Sequence, residues 1–128
     1  MNRKFLSTLG LAALFAQPAL AYDFNVPVDT PREISKLYAV NEDCTSAGDA
    51  VVRLTTQPAH GTITMRRGKD YPNYRAPNPR VSCNRRLVAS TQVWYNPQRG
   101  YAGPDSVSLD VLYPNGSSQQ FTVSISVR

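Results

Sequence analysis

From Tyr22 onward the chain alternates apolar and polar positions in short runs, and no stretch sustains a 3.6-residue period. Phe24, Val26 and Val28 alternate with Asp23, Asn25 and Pro27. "AVVRLTT" places Val52 and Leu54 on one face and Arg53 and Thr55 on the other. "GTITM" sets Ile63 and Met65 against Thr62 and Thr64, and "LVASTQVWYNP" turns Val93 and Tyr95 inward. The last unit is the clearest. Val107, Leu109, Val111 and Tyr113 share one face of a first strand, and Phe121, Val123, Ile125 and Val127 share one face of a second. Between them Asn115-Gly116 predicts a type I′ turn, with register slack of a residue or two around it.

Six or seven such strands and ten prolines predict an all-β antiparallel sandwich of about seven strands. Two segments invite a helix. "PREISKL", Pro31 to Leu37, predicts a single turn because proline suits the first helical position. "TSAGDA", Thr45 to Ala50, reads as a loop.

The first 21 residues stand apart. Arg3 and Lys4 precede an apolar run, Phe5 to Ala16, and Ala19-Leu20-Ala21 is an A-x-A cleavage site, which together predict a secretory signal peptide over residues 1–21. The run is about 12 residues, short of the roughly 20 that span a bilayer. The reading is an exported, periplasmic or secreted domain of residues 22–128 with no membrane span. Without Arg3 and Lys4, 12 of the 14 cations remain against all 9 acids, a net charge of +3 rather than +5. That balance argues against a nucleic-acid partner.

Cys44 and Cys83 are the chain's two cysteines, and in an oxidising compartment they predict one disulfide. Closing a loop of about 40 residues stabilises a fold by about 4 kcal/mol in the chain-entropy picture. With a single histidine and no C-x-x-C spacing, no metal site and no cofactor is expected.

"QPAHGTIT", Gln57 to Thr64, resembles the P-x-H-G-x-(Val/Ile) element of bacterial cadherin-like and Ig-like repeat domains. "WYNPQRGYAGPDSVSLDVLYPNG", Trp94 to Gly116, is similar to the Y-x-P and Y-x-G-x-D-(Ser)-x-x-(aromatic) signature of the same family, and "FTVSISV" to its last strand. The match covers about 45 residues and that strand, in the family's order. The resemblance implies a single cadherin/Ig-like sandwich over 22–128, acting as a spacer, adhesin or binding unit. The chain departs from the pattern in two places. Val107 and Leu109 stand where the family usually has aromatics, and about 30 residues separate Thr64 from Trp94 where a short link is usual.

In that family's frame His60 and Asp105 are structural: His60 packs within a Pro-x-His-Gly turn, and Asp105 caps backbone N–H groups at a turn. Asn41, Glu42, Asp43 and Asp49 follow no calcium-loop pattern. The nine acids are scattered and show no paired carboxylates for glycoside hydrolysis. The sequence therefore reads as non-enzymatic, with a small hydrolase as the last alternative.

The stretch Met65 to Arg86 holds seven cations, two tyrosines and one acid, Asp70. Arg66, Arg67, Lys69, Tyr71, Tyr74, Arg75, Arg80, Arg85 and Arg86 are the candidate binding residues, on a proline-broken loop pinned by Cys83. Arginine forks read carboxylate and phosphate, and tyrosine adds rigid contact. The partner class is an anionic polysaccharide or an acidic protein; the alternative is a protein–protein module working by sheet-edge contacts.

Overall fold

The computed structural model describes residues 20–128; the signal-peptide reading lies outside the described residues except for its last two. Seven strands build two sheets: β1 (Leu20–Val26), β2 (Arg32–Leu37), β3 (Val51–Thr56), β4 (Gly61–Asp70), β5 (Val88–Pro97), β6 (Gly103–Leu112) and β7 (Ser118–Val127). One sheet runs β1-β7-β6-β3 and the other β2-β5-β4. All pairings are antiparallel except β1 with β7, which is parallel. The expected sandwich therefore forms, with one pair of opposite sense. Parallel strands cannot be joined by a tight turn, and β1 and β7 are the first and last of the seven strands, with the rest of the domain between them.

The alternating residues fill the space between the sheets. Val93, Tyr95 and Val107 are fully buried, and Leu109, Val111, Phe121, Val123, Ile125 and Val127 join them in one core. Met65 departs from the expectation: it has the inward phase on β4 but is exposed. No helix among the described residues is long and apolar enough to cross a membrane.

Three local expectations are corrected. Arg32–Leu37 is a strand, not a helical turn. Its register against β5 shifts between Glu33 and Ser35, so Ile34 and Leu37, three apart, both face the core. A bulge has produced a helix-like spacing within a strand. The β6–β7 turn is not type I′. Only Gly116 has positive φ, at 86°, and Tyr113 N–H donates to Ser117 O across a three-residue loop, Pro114 to Gly116. Pro114 lacks the N–H that a two-residue hairpin needs at that position, so the closing pair moves back to Tyr113.

The basic stretch, thirdly, is not one loop. Arg66, Arg67 and Lys69 belong to β4, which runs to Asp70, and Pro79–Arg85 forms a 3₁₀ helix where the sequence reads as a proline-broken loop. Pro79 occupies its first turn, where no intrahelical donor is lost, and the Asn78 side chain caps the Arg80 N–H at 2.9 Å.

Candidate binding cleft

The family-like motif residues converge on one carboxylate. Asp105 Oδ1 accepts from the Ala59 N–H at 2.8 Å and the Ser106 N–H at 2.9 Å; Oδ2 accepts from the His60 N–H at 2.9 Å and the Tyr95 hydroxyl at 2.7 Å. Burial works against the charge on Asp105, yet the Tyr95 hydroxyl and the three amides together hold its carboxyl below the usual range. Burial, then Asp105, pushes the Tyr95 phenol up. His60 stacks on Tyr101, centroids 4.0 Å apart and planes 7° apart. All three groups are committed within the fold, joining the β3–β4 loop to β5 and β6.

The segment from Tyr71 to Arg86 is bound to the β2–β3 connection along its length. Cys83 is disulfide-bonded to Cys44, and Cys83, Val40 and Val88 form a small second core with Tyr38 and Tyr74 packed on it. The Tyr38 hydroxyl accepts from the Asn73 N–H at 2.7 Å, and Arg80 Nε donates to Val40 O at 2.7 Å. Asn84 imitates a strand partner for Tyr74, accepting from its N–H and donating to its carbonyl, each at 2.9 Å.

This anchoring completes the wall of an open cleft of about 790 Å³. Tyr22 and Phe24 come from β1, Ile34 to Leu37 from β2, Tyr38 to Asn41 from the chain after it, Asn73, Tyr74 and Arg80 from the anchored segment, and Tyr113, Gln119 and Phe121 from the last hairpin. Tyr22 packs against Phe121 with centroids 5.9 Å apart, and Tyr38 meets Tyr74 edge-on at 5.5 Å. Burial raises the Tyr113 phenol, as do Tyr38, Tyr74 and Tyr22 around it. Burial and Tyr38 raise Tyr74, against the pull of Arg80. Lys36 and Arg80 are the charged residues among the described lining, and no carboxylate lies there.

Of the nine residues singled out from the sequence, the structure brings Tyr74 and Arg80 into this cleft and distributes the other seven elsewhere. Arg66 lies with its guanidinium 4.6 Å from the centroid of the Trp94 ring on β5. There Trp94 Nε1 donates to Gln92 Oε1 and Gln92 Nε2 to Asp70 Oδ2, each at 3.1 Å, while the Ser90 hydroxyl also donates to Asp70. Arg67 pairs with Asp49 at 2.6 Å, both side chains more than half exposed, a pair of little energetic weight. Lys69, Tyr71, Arg75, Arg85 and Arg86 are exposed. Tyr22, Lys36, Tyr38, Tyr113 and Phe121 were not singled out. The inward phase of Tyr113 and Phe121 was visible, but not that their strand ends open onto a cleft.

An aromatic cleft with amides and two cations can pack flat apolar surfaces on its rings, satisfy hydroxyls through Asn and Gln, and neutralise anionic groups. No family model matches the chain, and no curated protein does. Among solved structures it is similar to the solution structure of Amebosin, at 11% identity, covering 88% of this chain and 100% of that one with a TM-score of 0.46.

Proposed function

We propose that this protein is an exported, non-enzymatic binding module that holds an anionic polysaccharide in the cleft between β1 and β2. One observation carries the reading: four tyrosines and two phenylalanines line a concave surface whose charged residues are Lys36 and Arg80, with no carboxylate among the described lining. Pyranose rings present flat C–H faces that pack on aromatic rings, and their carboxylates suit the arginine fork and the lysine ammonium. The wall is fixed by the disulfide and by hydrogen bonds from Arg80, Asn73 and Asn84, so little ordering remains for binding to offset.

Export is supported by the leader-like residues 1–21 and by the disulfide, which suits an oxidising compartment. The cadherin/Ig-like reading is supported by strand order. Lettered in chain order, the sheets read B-E-D and G-F-C, the immunoglobulin-type partition, with the first strand attached beside G.

Titration of residues 22–128 with polygalacturonate, with neutral dextran as control, tests the function. Binding of the polyuronate that weakens as salt rises is the expected result, and equal affinity for both polymers defeats the proposal. A second reading, strand addition, is favoured by the edge of β2, which among the described residues pairs only with β5. A peptide held that way would stay bound at high salt.

A further inference from the structure

The expected leader ends inside a strand rather than before one. Leu20 and Ala21 belong to β1, and their backbones stand opposite Phe121 and Thr122 of β7. The first residue after the A-x-A site is Tyr22, whose ring packs on Phe121; both line the cleft. We infer that removal of the leader completes the binding cleft, so that the processed chain binds its anionic ligand more tightly than the precursor. This deepens the function proposed above and rests on it.

Hydrolysis of the Ala21–Tyr22 peptide bond by an exported-protein endopeptidase consumes one water. The carboxylate leaves with the leader, and the new amine on Tyr22 takes up a proton. Two changes at the cleft follow. A neutral amide N–H becomes an α-ammonium, whose ordinary pKa is about 7.7–8.0, so the group is cationic in mildly acid and neutral solution. The new charge is carried by Tyr22, itself a lining residue, and adds to Lys36 and Arg80 at a cleft without a carboxylate among its described lining residues. Asp23, next along β1, alternates to the opposite side of the strand from Tyr22 and Phe24. Loss of Leu20 and Ala21 also removes the β1 partners of Phe121 and Thr122, beside the rings of the cleft, and leaves β7 paired there with β6 alone.

The charge and the strand separate in three chains at about pH 6, where the amine is protonated. One begins at Tyr22 with a free amine, one begins at Tyr22 with its amine acetylated, and one begins at Leu20. Each is titrated with polygalacturonate after thermal unfolding has shown that all three fold. The free-amine Tyr22 chain is expected to bind roughly fivefold more tightly than the acetylated one, the worth of one close, solvated charge pair. The Leu20 chain, with β1 lengthened and its amine moved about 7 Å along the strand, is expected to fall below the free-amine chain as well. Equal affinity of the free and acetylated chains overturns the inference while leaving the cleft's function standing. Failure of all three to bind removes that function and the inference with it. An amino-terminal residue other than Tyr22 in the exported protein, read by mass spectrometry, also overturns it.

Discussion

The Tyr95 hydroxyl donates to Asp105 Oδ2 at 2.7 Å, and the same oxygen accepts from the His60 N–H at 2.9 Å. One carboxylate thus joins β5, β6 and the loop before β4. Tyr95→Phe removes one hydrogen bond to a charged acceptor and should lower stability by about 1.5–3 kcal/mol. Asp105→Ala leaves the Ala59 and His60 amides without an acceptor and the Tyr95 hydroxyl with only its longer bond to His60 O, 3.2 Å, and should lower stability by about 3 kcal/mol or more. Urea unfolding of both variants, with unchanged m-values, checks the order.

The same pair sets the pH limits. Asp105 has its folded pKa held below the ordinary carboxylate value, so its contribution is complete above about pH 4 and is lost as pH falls through the folded value. Tyr95 has its folded pKa raised above the ordinary phenol value by burial and by Asp105. Its contribution is complete below about pH 10 and is lost as pH rises beyond. Glu33 opposes Asp105 in the acid range, because burial, then Asp70, raises it; its stabilising effect is present below about pH 4 and fades as pH rises. Melting temperature against pH should therefore fall at both ends. Tyr95→Phe should flatten the alkaline limb, and Glu33→Gln should raise stability at neutral pH.

Two glycines should fail for different reasons. A Cβ on Gly61 would stand 2.5 Å from the Tyr95 ring and 2.7 Å from the Asn96 carbonyl, so Gly61→Ala should destabilise by about 1–3 kcal/mol through overpacking. Gly116 has open space around it but φ of 86°, so Gly116→Ala should lose about 1 kcal/mol through backbone conformation alone. Replacing Tyr95 with a smaller residue should relieve the first defect relative to additivity and leave the second untouched, a double-mutant comparison that separates the two causes.

Much of this architecture was legible in the chain because a half-buried strand writes its burial every second residue. Val107, Leu109 and Val111 face Phe121, Val123, Ile125 and Val127 as that period requires. The errors arose where one residue broke the period. The bulge beside Ile34 imitated a helix, and the missing N–H of Pro114 moved a turn that Asn115-Gly116 otherwise favours. The cleft was illegible for another reason. Tyr22, Lys36, Tyr38, Tyr74, Arg80 and Tyr113 lie in four separate stretches, and only the pairing of the two sheets brings them together. Local charge density pointed instead to Arg66–Arg86, of which the cleft uses three residues, Asn73, Tyr74 and Arg80.

Breaking the disulfide should affect stability and site together. With Cys44 and Cys83 separated by 39 positions in the sequence, the Cys44→Ser/Cys83→Ser pair should reduce stability by about 4 kcal/mol in the chain-entropy picture. Tyr74 and Arg80 share the small core and hydrogen bonds that this link anchors, so amide exchange should quicken from Asn73 to Asn84 while β6 and β7 stay protected.

The cationic residues offer the sharpest discrimination between surface and cleft. Arg66 and Arg67 belong to β4 and lie outside the cleft lining; one rests against Trp94 and the other pairs with Asp49. Reversing both, Arg66→Glu with Arg67→Glu, should change Trp94 fluorescence and shift stability by no more than about 1 kcal/mol, since an exposed cation–π contact and an exposed ion pair are each worth little. It should leave polygalacturonate affinity within about twofold, apart from the long-range effect of net charge, which salt screens. Lys36→Glu puts a carboxylate into a lining that has none among its described residues, and should weaken binding roughly tenfold or more through repulsion and loss of a cation. If the Arg66/Arg67 reversal proves the more damaging change, the binding surface lies on the β4–β5 side of the domain, and the aromatic cleft is not the site.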